Sequence, residues 1–499
     1  MISALWLATL SIFALCLWYI LVERNKWKNS PPGPFRIPIL GNIFQVELLA
    51  HLSFCKWADK YGPIIRVDLA TTKTVVVSDY KMVKELFNDP ASSGRMDFSM
   101  FDFVLSDRLH GIVNTEGQDW EELRRFTLRQ LRDFGFGRNT MEESIMLEVT
   151  ELIEWLKEVE NKPVENVKEK LTFAVINSVW SICTGERYKH NDAAILEMTE
   201  RALKTFDSVM ERGPLLLFAP ILGKLFPVLS GYTLVREAVD GFADYFRKPV
   251  NQHLKTFSPD FDRDFADVFI KEIKKTTNTE SAFYGKFGED NLLATLGDLY
   301  FAGTDTTSTT LSWMILYLSK MPEIQKKFQD EIESITGNTK PVSISDRANM
   351  PFTEALIAET LRFSSITPSG VQHKALRDIT FRGYTIPKNT VITSNLYYIH
   401  HDPKVWGDPE NFRPERFLSP DGKVFKKHEA LMPFSTGRRQ CIGESLARDS
   451  LFLFATNVFQ RFWVKFDENG PQNGFDSKAS FTFIITPKPY SVIFKDRLA

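Results

Sequence analysis

The stretch 434–444, Phe-Ser-Thr-Gly-Arg-Arg-Gln-Cys-Ile-Gly-Glu, places one cysteine between two glycines and directly before a long apolar run. The residues from Ile442 to Phe462 contain no proline and one early glycine, so we expect a helix that begins at about Cys441. A cysteine at a helix start faces unpaired backbone N–H groups and the positive end of the helix dipole. Both favour the thiolate, which is the form of cysteine that binds metal.

The neighbours of the cysteine suit a flat, negatively charged ligand. Gly437 allows a turn that a Cβ would resist, and Gly443 removes side-chain bulk where such a ligand would lie close. Arg439 offers a forked cation that suits a carboxylate. The pattern Phe434-x-x-Gly437-x-Arg439-x-Cys441-x-Gly443 resembles the haem-ligand loop of the cytochrome P-450 monooxygenases. The alternative is a buried, inert cysteine before a core helix.

The resemblance extends from Pro31 to near the C-terminus and is closest to the microsomal, animal family-two-like group. It implies haem b (iron protoporphyrin IX) with Cys441 as axial thiolate. It also implies a fold that is mainly α with small β-sheets, in one haem-thiolate catalytic domain over residues 35–499. The apolar patterns agree, because helical signals dominate from about residue 80 to 375. Short β-like segments are Ile64–Leu69, Thr74–Val77, Phe381–Val391, Phe481–Ile485 and Tyr490–Phe494.

The chain has 61 basic and 63 acidic residues, and this near-neutral balance argues against nucleic acid as a partner. It has four cysteines, of which Cys16 lies in the apolar N-terminus. The other three are too widely spaced to form a disulfide framework, which fits a reducing compartment.

Residues 2–22 carry no charged side chain and, as a helix, would reach about 31 Å, enough to cross a membrane. Arg24, Lys26 and Lys28 follow at once, so the positive-inside rule places the bulk of the protein in the cytosol. We therefore expect a transmembrane anchor over 1–22, a basic and proline-rich hinge over 23–34, and, from the resemblance, the endoplasmic reticulum membrane. A cleaved signal peptide is the alternative, but no small-x-small site precedes the charges.

Residues Asn291 to Met321 form one predicted helix, and its middle reads Ala302-Gly-Thr-Asp-Thr-Thr. Threonine hydroxyls can bond the carbonyl one turn back and loosen the helix locally, which would open a notch for dioxygen and water. This run resembles the oxygen-activation motif of the same family. The resemblance implies that Asp305 and Thr306 relay protons into the site and that Ala302 lies beside the haem. The alternative is a Ser/Thr-rich helix face against solvent.

Glu359 and Arg362 are three residues apart in a helical segment, so they share one face. Arg416 follows in Pro-Glu-Arg-Phe, about fifty residues later. The family has both elements in this order, which implies a buried Glu–Arg–Arg cluster that braces the core without taking part in the chemistry. An ordinary surface pair is the alternative.

Haem propionates need cations or strong donors when buried. Trp120 and Arg124 lie one helical turn apart on one face. His373 follows a β-like segment, Ile366–Val371, and with Arg439 it completes the set that the resemblance implies. For His373 the alternative is a structural histidine that binds no propionate. The pair His400–His401 lacks further ligands at metal-binding spacing, so we expect no metal there.

No dinucleotide-binding loop is visible, since Gly135-x-Gly137 lacks the third glycine and a preceding strand. Electrons must therefore come from a separate protein, which the resemblance implies is an NADPH-cytochrome reductase, with cytochrome b5 as a further candidate partner. Six basic residues are candidates for docking it, although a scattered solvated surface is an equal alternative. They are Arg125, Arg129, Arg132, Lys426, Lys427 and Arg438.

The implied reaction inserts one atom of dioxygen into a hydrophobic small molecule, because a thiolate on haem iron favours O–O cleavage. A terpenoid, fatty acid, steroid or xenobiotic would suit. The stretches 132–137 and 363–366 resemble those of arthropod members of the family, among them the methyl farnesoate epoxidases, and this resemblance implies methyl farnesoate as one specific substrate. A reductase-independent peroxide isomerase or dehydratase and a non-catalytic haem sensor are the alternatives. Six residues lie in stretches that line the family's pocket, or they are plain core: Phe98, Phe101, Phe103, Phe301, Val371 and Phe483.

Overall fold

The computed structural model describes residues 25–47, 49–133, 139–188, 225–471 and 484–497, with isolated positions in the gaps. The predicted anchor over 1–22 therefore lies almost entirely outside the described residues, as does Phe483. In the parts of the chain that are described, no helix is both long enough and apolar enough to span a membrane.

Helices form most of the described body, as predicted. Short 3₁₀ turns occur between them, among them Ser99–Phe101, Pro414–Phe417 and Gly437–Arg439. The helices are α1 Ala50–Tyr61, α2 Tyr80–Asn88, α3 Gly111–Asn114, α4 Gly117–Asp133, α5 Asn139–Glu158, α6 Val167–Thr184, α7 Tyr232–Thr256, α8 Phe265–Lys275, α9 Gly285–Lys320, α10 Pro322–Thr336, α11 Pro351–Ser364, α12 Leu396–His401, α13 Pro403–Trp406 and α14 Glu444–Arg461.

In the described parts of the chain, three small sheets lie against the helices. The largest has the order β1-β2-β8-β5-β3, the second β4-β10-β9, and the third is the hairpin β6-β7. The predicted hairpin is confirmed, since β1 and β2 pair antiparallel from Ile64↔Val77 to Leu69↔Thr72. The strands are β1 Ile64–Leu69, β2 Thr72–Val77, β3 Gly94–Arg95, β4 Pro163–Glu165, β5 His373–Lys374, β6 Ile379–Phe381, β7 Tyr384–Ile386, β8 Val391–Ser394, β9 Phe462–Phe466 and β10 Ser491–Asp496.

Helix α9 is the central element, with 36 residues, most of them buried. It packs along α6, where a Cβ added to Gly303 would lie 3.1 Å from a methyl group of Val179. Gly303 therefore allows two helices to approach closely.

Two boundaries differ from the prediction. Helix α14 begins at Glu444 with Gly443 as its N-cap, so Cys441 lies in the loop before the helix rather than at its first turn. Helix α14 ends at Arg461, one residue before the end of the apolar run, because Phe462 begins strand β9. The predicted strand over Ile366–Val371 is wrong, since Gly370 has a φ of +59° and its N–H bonds the Thr367 carbonyl to form a turn.

The chain around the predicted hinge is attached to strand β1. The indole of Trp27 is 5% exposed and lies under the guanidinium of Arg66, 3.8 Å from the ring centre. The Arg66 N–H donates to the Pro32 carbonyl at 2.8 Å. A Cβ at Gly33 would lie 2.2 Å from the Arg66 oxygen, so only glycine allows this approach. Trp27 is therefore part of the packed body.

Candidate active site

The cysteine loop is held in a closed turn by backbone contacts. The Cys441 N–H donates to the Phe434 carbonyl at 3.0 Å. Gly437 has a φ of +77°, and a Cβ there would lie 2.2 Å from the Phe87 oxygen at the end of α2. Gly437, the predicted turn glycine, is therefore required for two reasons: its backbone conformation and its close packing against Phe87. The guanidinium of Arg448 lies 5.1 Å from the Phe434 ring.

Cys441 differs from the other cysteines that the structure describes. Its side chain is exposed, whereas Cys183 is buried and Cys55 is half-buried. Burial raises the pKa of both of those thiols to about 12. Cys441 is accessible yet surrounded by protein, and this surrounding raises the pKa of its thiol, while the Gly443 N–H and the Arg124 cation oppose the rise. An accessible thiol enclosed by protein is the arrangement expected at the floor of a recess.

The aromatic and cationic residues predicted for the propionates come together beside this loop. The Arg439 guanidinium carbon lies 3.9 Å from the Trp120 ring centre, and Arg124 donates to the Gln440 carbonyl at 2.7 Å. Arg439 uses three N–H groups on the backbone, at Ser93 (2.9 Å), Ile112 (3.2 Å) and Thr115 (2.6 Å), so it also fixes the segments around it.

Arg95 joins this group and was not found from the sequence. It lies in the short strand β3, and one of its terminal nitrogens donates to the Val371 carbonyl at 3.0 Å. Burial lowers the pKa of Arg95 to about 10 and, with Arg95 nearby, that of Arg439 to about 8. No local motif announces Arg95, because the partners that surround it come from residues distant in sequence.

The donor set fits a buried dianionic ligand such as haem. Among the described residues, Trp120 Nε1 and Arg95 Nε are buried without a hydrogen-bond partner. Buried donors almost always have acceptors, so these two atoms point to an acceptor supplied by a ligand. Arg95, Arg124 and Arg439 come together here. Burial, and after it the charge of neighbouring arginines, lowers the pKa values of Arg95 and Arg439, and a bound anion would raise them again.

His373 is held differently from the arginines. Its Nδ1 lies 2.9 Å from the Ser92 carbonyl and must donate to it, and its ring stacks on Phe87 at 3.8 Å. Burial, with Arg95 and Arg439 nearby, lowers the pKa of His373 well below its usual value. A neutral ring that donates through Nδ1 leaves only an acceptor at Nε2. This geometry agrees with the structural alternative, and the propionate role of His373 stays a prediction.

The threonine-rich segment of α9 carries the expected back-bond. The Thr306 hydroxyl donates to the Ala302 carbonyl at 2.7 Å, and Ala302 itself is exposed. The Asp305 side chain has other partners: its carboxylate lies 2.7 Å from Lys168 Nζ on α6 and 3.4 Å from the Thr309 hydroxyl. Lys168 was not found from the sequence. The acid and the threonine are therefore neighbours in the chain whose side chains have different partners.

The Glu–Arg–Arg cluster is present and almost fully buried. Both Glu359 oxygens accept from Arg362 at 2.8 Å, and Arg416 Nε donates to Glu359 at 3.1 Å. Arg362 also donates to the His400 carbonyl at 2.7 Å. These contacts exclude the surface-pair alternative, because the Glu359 and Arg362 side chains are 0% exposed.

The cluster is connected to the cysteine loop through His400. The His400 Nε2 accepts the Met432 N–H at 3.2 Å, so Nδ1 carries the proton and donates to Ser365 at 3.0 Å. Met432 is two residues before Phe434. The chain from Arg362 through His400 to Met432 therefore ties the cluster to the loop that presents Cys441.

The predicted pocket residues have different environments. Phe98 and Phe103 are buried, Phe101 and Phe301 are half-buried, and Val371 is 42% exposed. Phe103 packs parallel to Phe301 with ring centres 6.2 Å apart. The two rings thus share one aromatic cluster, as a pocket wall or a core would.

The comparisons with known proteins agree with this site. A family model described as Cytochrome P450 matches residues 31–494. The chain belongs to the cytochrome P450 family. It is 35% identical to human Cytochrome P450 2J2 over 483 residues, which cover 94% of this chain and 91% of that protein. It is 31% identical to Farnesoate epoxidase of Bombyx mori over 497 residues, or 98% and 99% of the two chains.

Membership of this family establishes the cofactor as haem with a cysteine thiolate ligand and the activity class as P450 monooxygenase. The residues around Cys441 fit that cofactor on the observations above: an accessible, enclosed thiol, two partnerless donors and an excess of buried cations.

Proposed function

We propose that this chain is a membrane-bound monooxygenase of the endoplasmic reticulum that inserts one atom of dioxygen into a hydrophobic small molecule. Electrons come one at a time from NADPH through a separate reductase. The observation that carries the proposal is the enclosed, accessible Cys441 thiol beside the partnerless donors of Trp120 and Arg95. When bound, a thiolate-ligated haem supplies the oxygen chemistry, because the thiolate favours O–O cleavage.

The chain's own residues position the cofactor and supply protons. Cys441 provides the sulfur ligand, and Trp120, Arg95 and Arg124 would hold the carboxylates of the cofactor. The Thr306 hydroxyl donates its proton to the Ala302 carbonyl, so its oxygen would accept a hydrogen bond from a proton-carrying water on the exposed side of α9. Asp305 supplies protons from outside when it exchanges its contact with Lys168 for water.

The substrate is apolar, since the predicted pocket residues are aromatic or aliphatic. We favour an isoprenoid acid or ester for a first panel, because similarity to the farnesoate epoxidase covers nearly the whole of both chains. Epoxidation would then add oxygen across a C=C bond, and the second oxygen atom would leave as water.

The membrane and partner proposals rest on charge and position. Residues 2–22 would anchor the chain, with the catalytic body on the cytosolic side. Arg125, Arg129 and Arg132 project from α4, which is tied to the cysteine loop where Arg124 bonds Gln440. These exposed cations would steer an acidic reductase to the side of the thiolate. Cytochrome b5 is a further candidate for the same surface.

Reconstitution tests the proposal. The purified chain is combined in vesicles with NADPH and a cytochrome P450 reductase, and is then given farnesoate, its methyl ester, a fatty acid and a steroid in turn. Product formation that requires both NADPH and reductase supports the monooxygenase. Rearrangement of an added hydroperoxide without either would favour the isomerase instead, and haem binding without turnover in all assays would favour the sensor.

A further inference from the structure

The segment 98–114 contributes three of the predicted pocket residues, Phe98, Phe101 and Phe103, although it has little regular structure. It consists of the 3₁₀ turn Ser99–Phe101, an irregular loop and the four-residue helix α3. Within the segment, the Asp102 carboxylate accepts the Val104 N–H at 3.1 Å and the His110 N–H at 2.9 Å. Side chains of other elements attach the segment to the rest of the molecule.

Arg236, on helix α7, fixes the first part of this segment. Its side chain is buried, and one terminal nitrogen donates to the Met100 carbonyl at 3.1 Å and to the Asp102 carbonyl at 2.7 Å. These carbonyls flank Phe101. The other terminal nitrogen lies 2.5 Å from Asp240, one turn along the same helix. A charged guanidinium thus holds the backbone on both sides of a pocket residue.

Helix α9 fixes the far end of the segment. One Asp298 carboxylate oxygen accepts the N–H groups of Ile112 at 2.6 Å and Val113 at 3.0 Å. The Asn291 side chain accepts the Gly111 N–H at 3.1 Å. The far end is thus bonded to α9, while Arg236 ties the backbone of the first part to α7 by hydrogen bonds.

The first part of the segment carries an aromatic contact between the same two helices. The Phe103 ring meets Phe246 of α7 edge-on at 5.7 Å and lies parallel to Phe301 of α9 at 6.2 Å. It also lies against Gly297, where a Cβ would be 2.2 Å from a ring carbon. A shift of the 100–103 backbone would therefore move aromatic side chains on both sides of the predicted pocket.

We propose that Arg236 is a specificity-determining positioning residue. By holding the carbonyls on either side of Phe101, it fixes the wall that Phe101 and Phe103 contribute and sets the largest apolar ligand that the pocket admits. The inference rests on the proposed function, in that these phenylalanines line a substrate pocket above a haem. Arg236 itself need not touch the substrate.

The test uses imidazole and a series of 1-alkylimidazoles of increasing length, which bind haem iron through nitrogen and report binding by the shift of the visible absorption band. The variants are Arg236→Gln and Arg236→Lys. The control is Arg247→Gln, which removes an exposed arginine of the same helix that pairs with Asp244. Hydrogen exchange at residues 101–104 is measured on the same samples.

In Arg236→Gln we expect the longest 1-alkylimidazole to bind about tenfold more tightly relative to imidazole than it does in the parent. The affinity for imidazole itself should stay within about twofold of the parent. Exchange at 101–104 should quicken, and Arg247→Gln should match the parent in both measurements. Arg236→Lys should lie between them, and it carries the test if the glutamine variant loses its haem band.

An unchanged ratio with an intact haem band, or an equal change for every ligand, would overturn the role of Arg236. The two proposals fail separately. A size limit that depends on Arg236 in a protein without NADPH-dependent turnover would contradict the monooxygenase proposal and leave the positioning role supported.

Discussion

At the scale of single residues, the site is dominated by buried charge of one sign. Burial lowers the pKa of Arg95, Arg124 and Arg439, and neighbouring arginines lower those of Arg95 and Arg439 further. The acids that offset them are Glu116 and Asp298. A chain rarely keeps several buried cations without an anion, so the residues themselves indicate what the site binds.

Replacing Thr306 by Ala should uncouple electron use from product formation. The variant loses the hydroxyl that bonds the Ala302 carbonyl, so proton delivery to the site would be uncontrolled and more of the oxygen consumed would leave as peroxide. We expect NADPH consumption to stay within about threefold of the parent while the product yield per NADPH falls about tenfold or more. The measurement is NADPH, peroxide and product in one assay.

Thr310→Ala is the matched control for that experiment, since Thr310 makes the same back-bond one turn later, to the Thr306 carbonyl. Equal coupling in Thr306→Ala and the parent would remove the proton role. Equal loss in both variants would show that helix geometry, rather than the Thr306 hydroxyl, matters.

Asp298 should make stability depend on pH. Burial raises the pKa of its carboxyl to about 7, with Asp102 adding to the rise and Arg95 opposing it. A raised pKa means that the folded state binds the proton more tightly than the unfolded state. The stabilising contribution is therefore complete below about pH 4 and is lost as the pH rises through about 7.

In Asp298→Asn this dependence disappears, because the amide does not titrate. Between about pH 4 and 8, the unfolding free energy of the parent relative to the variant should fall by up to about 4 kcal/mol. Denaturant titrations at several pH values measure it. Parallel pH profiles for the two proteins would show that Asp298 does not titrate in this range.

At the scale of elements, α4 meets the loop before α14 where Arg124 bonds Gln440. Helix α9 is joined to that loop through Ile112, which bonds both Asp298 and Arg439. The sequence predicts the parts that are encoded locally: the cysteine loop, the threonine run and the Glu359–Arg362 pair all lie within short windows. It does not reveal Arg95, Lys168 or Arg236, because each acts on residues more than 100 positions away. The helix start was misplaced by three residues because an apolar run marks a helix more clearly than its cap.

Glu359→Gln should unfold or strongly destabilise the protein. It leaves Arg362 and Arg416 without their shared carboxylate in a fully buried cluster, at a cost of about 3–5 kcal/mol. Glu415→Gln is the matched control. Glu415 lies next to Arg416 in the 3₁₀ turn Pro414–Phe417, and its exposed pair with Lys327 contributes about 1 kcal/mol or less. Thermal denaturation followed by haem absorbance measures both. A Glu359→Gln protein as stable as the control would remove the bracing role.

At the scale of the whole molecule, the net charge of −2 conceals an uneven distribution. Helix α4 presents Arg125, Arg129 and Arg132 outward, and Lys426 is exposed in a loop before the cysteine. Helix α4 also exposes Glu121 and Asp133, so the surface has an excess of cations rather than a single sign. A local excess of one sign speeds association with an oppositely charged partner and does so less in salt.

Charge reversal of this surface should slow reductase-supported turnover. In Arg129→Glu combined with Lys426→Glu, we expect the rate at low reductase concentration to fall about tenfold at low ionic strength and by much less at about 0.5 M salt. Turnover supported by added peroxide should not change. Equal reductase-supported rates for variant and parent at low salt would assign docking to another surface.

The central claim is that sulfur of Cys441 binds the haem iron. The most direct measurement is the reduced, carbon-monoxide difference spectrum of the parent and of Cys441→Ser, with haem content determined on the same samples. We predict the long-wavelength band of a thiolate-bound haem in the parent and its loss in the variant, together with loss of monooxygenase activity. A Cys441→Ser protein that keeps that band and its turnover would contradict the account.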